Sequence, residues 1–258
     1  LAPVDGVLNV WVGPVDDLAK AKPVTTDKKR GIRMHAWAYT NGHVLYAQDE
    51  GGDENWHVYS VDLATNQARD LTPMKGVQAR IVQASPKKPK ELLVGINDRD
   101  KKWHDVHRVD LTTGKLTMVE KNEGKASYLA DGELALRFAL ESAKGGGYSM
   151  LQKQGKRWLK YASIPFEDTR NTNLVTLDSS GKELYWTTSV GRDKSVLERV
   201  ELPGKKTTVL AESAKADVLG VFTHPLTHKP RAASSEQLRQ EWTVIDPSIK
   251  ADFDALED

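Results

Sequence analysis

One spacing governs what this chain can become. Short alternating runs, each closed by a polar turn, recur at a nearly constant interval. Gly13 follows "NVWV", Asp62 follows "VYSV", Asp110 follows "VHRV", Gln152 follows "YSML", Glu201 follows "LERV" and Asp246 follows "WTVI". The steps between these residues are 49, 48, 42, 49 and 45. A period of roughly 40–50 residues made of strands and turns alone is what a blade of four antiparallel strands requires. A helical solenoid of that period would need amphipathic helices, and the sequence has almost none.

The strands themselves are legible from period-two alternation bounded by Gly, Pro, Asn or Asp. They are "HVLYAQ" (43–48), "WHVYSVDL" (56–63), "ELLVGIN" (91–97), "DVHRVDL" (105–111), "ELALRFAL" (133–140), "ELYWTTSV" (183–190), "SVLERVEL" (195–202) and "EWTVID" (241–246). The turns between them repeat as well: "DLATNQ" (62–67), "DLTTGK" (110–115) and "ELPGKK" (201–206) each follow a strand end and precede a short final strand. An Asp at the strand end caps such a turn through the backbone ahead of it, and Asn or Gly supplies the positive φ. Helices are expected only over "PVDDLAKA" (14–21) and the tail "SIKADFDALED" (248–258).

The pattern predicts an all-β propeller of four-stranded antiparallel blades filling residues 1–258 as a single domain. About five to six blades are present, the first entered in its second half and the last left before its final strand. A chain of 258 residues is long enough to bury a sizeable core without staples. With 37 Lys plus Arg against 36 Asp plus Glu, it lacks the clustered basic excess of a nucleic-acid binder and gives no reason to expect an anionic membrane partner. No apolar run approaches the ~18–20 residues of a transmembrane helix. The absence of cysteine removes disulfides, thiol catalysis and cysteine metal sites. The compartment stays open, periplasmic, secreted or cytoplasmic, because the chain opens on a strand-like run without Met and is read as a fragment.

Three segments carry a resemblance: "LYAQDEGGDENWHVYSVDLATNQARDLTP" (45–73), "LLVGINDRDKKWHDVHRVDLTTGK" (92–115) and "TVIDPSIKADFDAL" (243–256). They resemble the N-terminal propeller of the prolyl oligopeptidase family of serine peptidases, near its acylaminoacyl- and dipeptidyl-peptidase branches. The resemblance implies a propeller that is part of a seven-bladed ring. It implies a following α/β-hydrolase domain that carries Ser, Asp and His, and peptide substrates admitted through the propeller.

The hydrolase chemistry is not written in these residues. The nearest approach to G-x-S-x-G is "GGGYSML" (145–151), where Leu151 stands at the final glycine and turn and strand follow in place of a helix. Ser149 is therefore no nucleophile, and no catalytic residue is assigned. His224 and His228 are four apart, but Pro225 and Pro230 break any helix and the Glu of a zinc-binding pair is missing. No metal site and no cofactor is assigned.

The candidate binding residues lie in connections between strands. "DEGGDEN" (49–55) offers Asp49, Glu50, Asp53 and Glu54. It reads as a solvated loop, as a set of oxygen donors for calcium without EF-hand register, or as a receptor for a peptide's ammonium through Glu50, Asp53 or Glu54. The matching connections "NDRDKKWHD" (97–105) and "TSVGRDKSV" (188–196) place Arg99 and Arg192 to face a peptide carboxylate. The alternative is an ion pair between neighbouring blades, with Asp53, Asp100 or Asp193. The basic run "KPVTTDKKRGIR" (22–33) reads as a solvated turn, and the seven tryptophans as packing within and between blades.

Three functions fit. The first is the non-catalytic propeller of a prolyl-oligopeptidase-like serine peptidase, responsible for gating, substrate selection and docking of the catalytic domain. The second is a standalone TolB-like propeller that binds a protein. The third is a propeller enzyme with calcium or paired carboxylates in its channel.

Overall fold

The computed structural model describes residues 1–257. Its strands fall into two compact units, Leu1–Glu123 and a second beginning at Gly124. The first unit opens with two short pairs, β1 (Ala2–Val4) with β2 (Val7–Asn9) and β3 (Trp11–Val12) with β4 (Lys22–Pro23). Two complete four-stranded meanders follow. One is β5 (Met34–Trp37), β6 (His43–Gln48), β7 (His57–Asp62) and β8 (Gln67–Asp70). The other is β9 (Ala79–Ala84), β10 (Glu91–Asp100), β11 (Trp103–Asp110) and β12 (Leu116–Glu120).

The second unit holds two more four-stranded meanders. They are β13 (Lys125–Ala130), β14 (Leu136–Ser142), β15 (Tyr148–Gln154) and β16 (Arg157–Ile164), then β17 (Asn173–Leu177), β18 (Glu183–Thr188), β19 (Val196–Glu201) and β20 (Thr207–Ala211). A three-stranded sheet of β21 (Val218–Thr223), β22 (Pro230–Glu236) and β23 (Gln240–Val244) leads into α1 (Lys250–Glu257). Every ladder is antiparallel, so the fold class is the all-β propeller expected. Four blades carry four strands among the described residues, and a fifth carries three.

Five of the six recurring sequence anchors mark third strands: Asp62, Asp110 and Glu201 end β7, β11 and β19, Gln152 lies in β15, and Asp246 follows β23, whereas Gly13 follows β3 of a two-stranded pair. Third strands are legible because both faces of a middle strand meet protein. Val58, Val61, Val106, Val109 and Leu197 are fully or almost fully buried. Blade-to-blade packing supplies the core. In the first unit Leu45, Val58 and Leu71 join Leu92, Val94, Ile96 and Val109. In the second, Leu129, Phe138 and Met150 join Leu177, Leu184 and Val200, and Leu197 and Ala211 join Val218 and Ala233.

The turns after the third strands share one geometry. Asp62 Oδ1 accepts from the Ala64 N–H at 2.8 Å, and Asp110 Oδ1 accepts from Thr112 and Thr113 at 2.9 and 2.7 Å. The left-handed residue sits four positions after the strand end each time: Asn66 (φ 55), Gly114 (φ 73) and Lys205 (φ 58). In the third turn the sequence would assign that role to Gly204. Position in the turn decides it instead, and the N–H of Lys205 closes on the Glu201 carbonyl at 2.8 Å, as Gly114 does on Asp110.

Two sequence expectations change. Over 14–21 only one 3₁₀ turn forms, at Leu18–Lys20, with no buried residue and no side-chain cap on Asp17. Val15 and Leu18 are exposed, so no apolar stripe holds a helix there. Tryptophan packing also has an exception: Trp37 on β5 is 58% exposed. The tail is helical as expected. The Asp246 carboxylate accepts from the Ser248 N–H at 3.0 Å, and Phe253 packs edge-on to Trp242, ring centroids 5.4 Å apart. The end of that expected helix, Asp258, lies outside the described residues.

Candidate functional site

A polar cleft of about 620 Å³ opens in the first unit, between Thr26–Arg30, Gln48–Asn55, the side chains of His57, Tyr59 and Asp70, and Lys75–Gly76. The β6–β7 connection forms one wall. Its shape is set by Asp53, whose Oδ1 accepts from the N–H groups of Glu50 (3.2 Å) and Asn55 (3.0 Å) while Oδ2 accepts from the Asn55 side chain (2.9 Å). The Asn55 side-chain bond, followed by its backbone N–H, holds the Asp53 carboxyl below the usual range. Three successive bends need positive φ, at Gly51 (67°), Gly52 (93°) and Glu54 (59°). A Cβ on Gly52 would stand 2.1 Å from Nη1 of Arg30, so glycine there lets the opposite wall approach.

That opposite wall is the Asp27–Arg30 turn. Asp27 Oδ2 accepts from the N–H groups of Arg30 (3.0 Å) and Gly31 (2.5 Å). Beneath it, Asn9 Oδ1 accepts from the Asp27 N–H and the Thr25 hydroxyl, both at 2.8 Å. Asp49 lies between the walls with its side chain 1% exposed, and Arg30 Nε is 3.5 Å from its Oδ1. Oδ2 accepts from the Glu54 N–H at 3.2 Å, whereas Oδ1 has no hydrogen-bond partner.

The third wall comes from β7. The His57 ring nitrogen Nδ1 sits 2.7 Å from Asp70 Oδ2, and Tyr59 stacks on Tyr46 with centroids 4.8 Å apart. Burial, then the neighbouring Tyr59 and the negative charges of Asp70 and Asp27, pushes the Tyr46 hydroxyl up to about 12. Burial, then Asp70 and Glu50, raises Tyr59 as well. Ionisation of either phenol is disfavoured because the surrounding field is negative.

Of the residues singled out from sequence, Glu50 and Asp53 line this cleft. Glu54 contributes its backbone: its N–H donates to Asp49 and its carbonyl accepts from the Gln78 side chain at 3.3 Å. Arg99 and Arg192 lie elsewhere, in ion pairs of their own blades. Arg99 grips the fully buried Asp105 through Nε and Nη2 at 2.7 and 2.8 Å, and Nη2 also donates to the Asn122 carbonyl at 2.9 Å. Arg192 donates to Glu198 at 2.8 Å, and the other oxygen of Glu198 accepts from the Trp186 indole at 3.1 Å. The partners are thus Asp105 and Glu198 rather than Asp53, Asp100 or Asp193. Asp193 pairs with Lys194.

The sequence reading took the basic run 22–33 for a solvated turn and gave no binding role to His57, Asp70 or Lys75, which line the cleft. The one available signal was Asp27 placed four residues before Gly31, the pattern of a side-chain-capped turn. Ser149 lies inside β15, opposite Glu141 and Ser163. His224 is a turn residue whose Nδ1 accepts from the N–H groups of Leu226 and Thr227.

No family model matches the chain. Among curated proteins, dipeptidyl aminopeptidase BIII of Pseudoxanthomonas mexicana is 45% identical over 259 residues, across all of this chain and 38% of that protein. This match is in keeping with the resemblance to the prolyl oligopeptidase family. The described residues form antiparallel meanders, the propeller fold. Dipeptidyl peptidase family member 6 of Caenorhabditis elegans is 24% identical over 269 residues, 98% of this chain and 36% of that protein. The chain spans less than two-fifths of the length of either relative. Solved structures agree on the fold. The putative TolB of Agrobacterium tumefaciens matches with TM-score 0.56 at 13% identity, covering 88% of this chain and 81% of that one. The puromycin-hydrolyzing peptidase of Mycobacterium tuberculosis matches with TM-score 0.52 at 11% identity, covering 84% and 35%.

Proposed function

We propose that these residues form the non-catalytic propeller of a serine peptidase that hydrolyses peptides, and that they select substrates, gate access and dock the catalytic domain. The observation that carries this reading is the 45% identity along the whole chain with a part of a dipeptidyl aminopeptidase. The partners are a C-terminal α/β-hydrolase domain and the peptide itself. The reaction would run through an acyl-enzyme formed on a serine of that domain, and no residue of the present chain would be nucleophile, acid or base.

Within the propeller, the cleft is the place for peptide recognition. Glu50 is the residue best placed to receive an ammonium, because it is exposed and lines the opening. Asp53 and Glu54 shape the loop that presents it. Arg99 and Arg192 are engaged by Asp105 and Glu198 of their own blades. A second reading, a standalone protein-binding propeller, is favoured by the 81% coverage of a TolB structure.

The test joins gene and enzyme. The reading frame continues past Asp258 into a serine hydrolase domain, and the full product releases dipeptides from a dipeptidyl 4-nitroanilide while the 258-residue chain does not. Glu50→Gln raises KM for the substrate with a free amino terminus and leaves kcat in place. A frame that encodes no hydrolase domain, or hydrolysis by the propeller alone, would overturn the proposal in favour of the binding module or a propeller enzyme.

A further inference from the structure

Three steps in this chain place glycine after Asp or Asn: Asp5–Gly6, Asn41–Gly42 and Asp131–Gly132. With no side chain on the second residue, its backbone nitrogen can approach the carbonyl of the first side chain closely. Structure separates the three. Asp131 is held fast, its Oδ1 accepting from the N–H groups of Glu133 and Ala135 at 3.0 and 3.1 Å and its Oδ2 from Arg137 at 2.9 Å. Asp5 is exposed, but a carboxylate is a poor electrophile. Asn41 stands exposed at the tip of the β5–β6 hairpin, and its side-chain amide makes no hydrogen bond among the described residues. Beside it, the Gly42 N–H donates to Thr40 Oγ1 at a long 3.3 Å, and that oxygen lies 3.0 Å from Nδ1 of His43. With the imidazole proton on Nε2, Thr40 accepts from Gly42 and donates to His43, an unbroken path from the amide to a base. Nothing crowds the nitrogen: a Cβ built on Gly42 would meet only the Thr40 carbonyl, at 3.9 Å.

We propose that Asn41–Gly42 is a site of self-catalysed modification, where Asn41 is converted to aspartate and isoaspartate with Thr40 and His43 carrying the proton. The Gly42 nitrogen attacks Cγ of Asn41 while its proton passes through Thr40 Oγ1 to His43. The N–Cγ bond forms, the bond from Cγ to the side-chain nitrogen breaks, and that nitrogen takes the proton back and leaves as ammonia. Solvent water then opens the cyclic imide. Cleavage at Cγ gives aspartate; cleavage at the main-chain carbonyl of residue 41 gives isoaspartate, which adds a methylene to the backbone. The consequence falls on β5. The hairpin tip is tied by the Ala38 N–H to the His43 carbonyl (3.0 Å), the Asn41 N–H to the Ala38 carbonyl (3.0 Å) and the Leu63 N–H to the Gly42 carbonyl (2.9 Å). Hairpin register follows the length of the turn. β5 is the edge strand of its sheet and is exposed along its whole length, so a longer turn loosens it first.

The test incubates the 258-residue chain at neutral pH and follows each asparagine by peptide mass spectrometry, with isoaspartate read by enzymatic methyl transfer. Asn66 is the internal reference: it is also exposed with φ 55, but Gln67 follows it. Asn41 should convert about tenfold faster than Asn66. Gly42 lies outside the left-handed region, so Gly42→Ala should fold, and its conversion should be about tenfold slower. Thr40→Val should slow the native chain about tenfold and leave the rate in urea unchanged, because the proton path exists only in the fold. Hydrogen exchange over Met34–Trp37 should quicken in the converted chain. Equal rates at Asn41 and Asn66 would overturn the site. Unchanged or faster conversion of native Thr40→Val would overturn the proton path, and unchanged exchange over β5 would overturn the structural consequence. None of these results touches the peptidase reading, which is decided by the gene and by dipeptide release.

Discussion

Asp178 offers a quantitative test of how these blades are held. It is 5% exposed at the turn between β17 and β18. Its Oδ1 accepts from the N–H groups of Lys182 (2.8 Å) and Glu183 (2.9 Å), and its Oδ2 from the N–H (3.1 Å) and hydroxyl (2.5 Å) of Ser180. One side chain therefore serves three backbone donors. Hydrogen bonds to a charged group are worth about 1.5–3 kcal/mol net, but they are not additive and the exposed Lys182 N–H recovers water. Asp178→Ala should cost about 3 kcal/mol, and Asp178→Asn, which keeps one acceptor oxygen, about half of that.

The same site fixes a pH dependence. Burial works against the Asp178 carboxylate, but the Ser180 hydroxyl and the three N–H groups outweigh it and hold its pKa below the ordinary value of 3.8. The folded state thus binds the proton less readily than the unfolded chain. The contribution is complete above the unfolded pKa, near pH 4, and is lost as pH falls through the lower folded value. Urea unfolding followed by circular dichroism, at neutral pH and near pH 2.5, reads both effects. The stability gap between the parent chain and Asp178→Asn should shrink in acid. A gap below about 0.5 kcal/mol at neutral pH, the size of an ordinary surface substitution, or one that widens on acidification, would refute the reasoning.

Other expectations follow from the packing and the cleft. Phe138 is fully buried and meets Tyr161 edge-on with centroids 5.2 Å apart, so Phe138→Ala should destabilise by about 3–5 kcal/mol in urea unfolding. Gly52→Ala strains a φ of 93° and intrudes on Arg30; the loss, read by urea unfolding, should be near ~1 kcal/mol. Arg99→Ala leaves buried Asp105 with the Asn122 N–H as a hydrogen-bond donor and the nearby His107, without its guanidinium partner. Burial then dominates, and the Asp105 carboxyl should titrate at higher pH by carbon-detected NMR than in the parent chain.

The parts of the fold that alternate strongly were open to reading, and the parts that do not were hidden. Third strands such as β7 and β11 carry buried valines on both faces, Val58 and Val61 in one and Val106 and Val109 in the other, because both faces meet protein. All five opening strands, β5, β9, β13, β17 and β21, escaped notice. β5 shows why: each residue of Met34–Trp37 is exposed, so no burial demand shapes its sequence. The cleft was half legible for a related reason. Glu50 and Asp53 announce themselves as a run of charge, whereas Asp27–Arg30 joins them only through a network rooted at Asn9, which local spacing does not encode. Arg99 and Arg192 were visible as arginines in equivalent loops, but their partners lie six residues on, across a hairpin whose register the sequence does not state.

Two hairpins share a feature with a wider consequence. Arg108 on β11 reaches Glu91 on β10 at 3.1 Å, and Arg199 on β19 reaches Glu183 on β18 at 3.6 Å. At the same place in β7 stands Ser60, facing Leu45, and β15 offers Met150 and Leu140. Among the four-stranded blades, each compact unit thus has one whose second and third strands carry this Arg–Glu pair and one whose second and third strands do not. A chain built from look-alike hairpins runs the hazard of joining the wrong halves while it folds. Here a strand bearing Glu91 or Glu183 that strays to the unmarked neighbour meets Ser60 or Met150 where the arginine would stand, and an unmarked strand leaves the arginine stranded. The charges serve as an address as well as a bond, so correct pairing is favoured before the blades have packed.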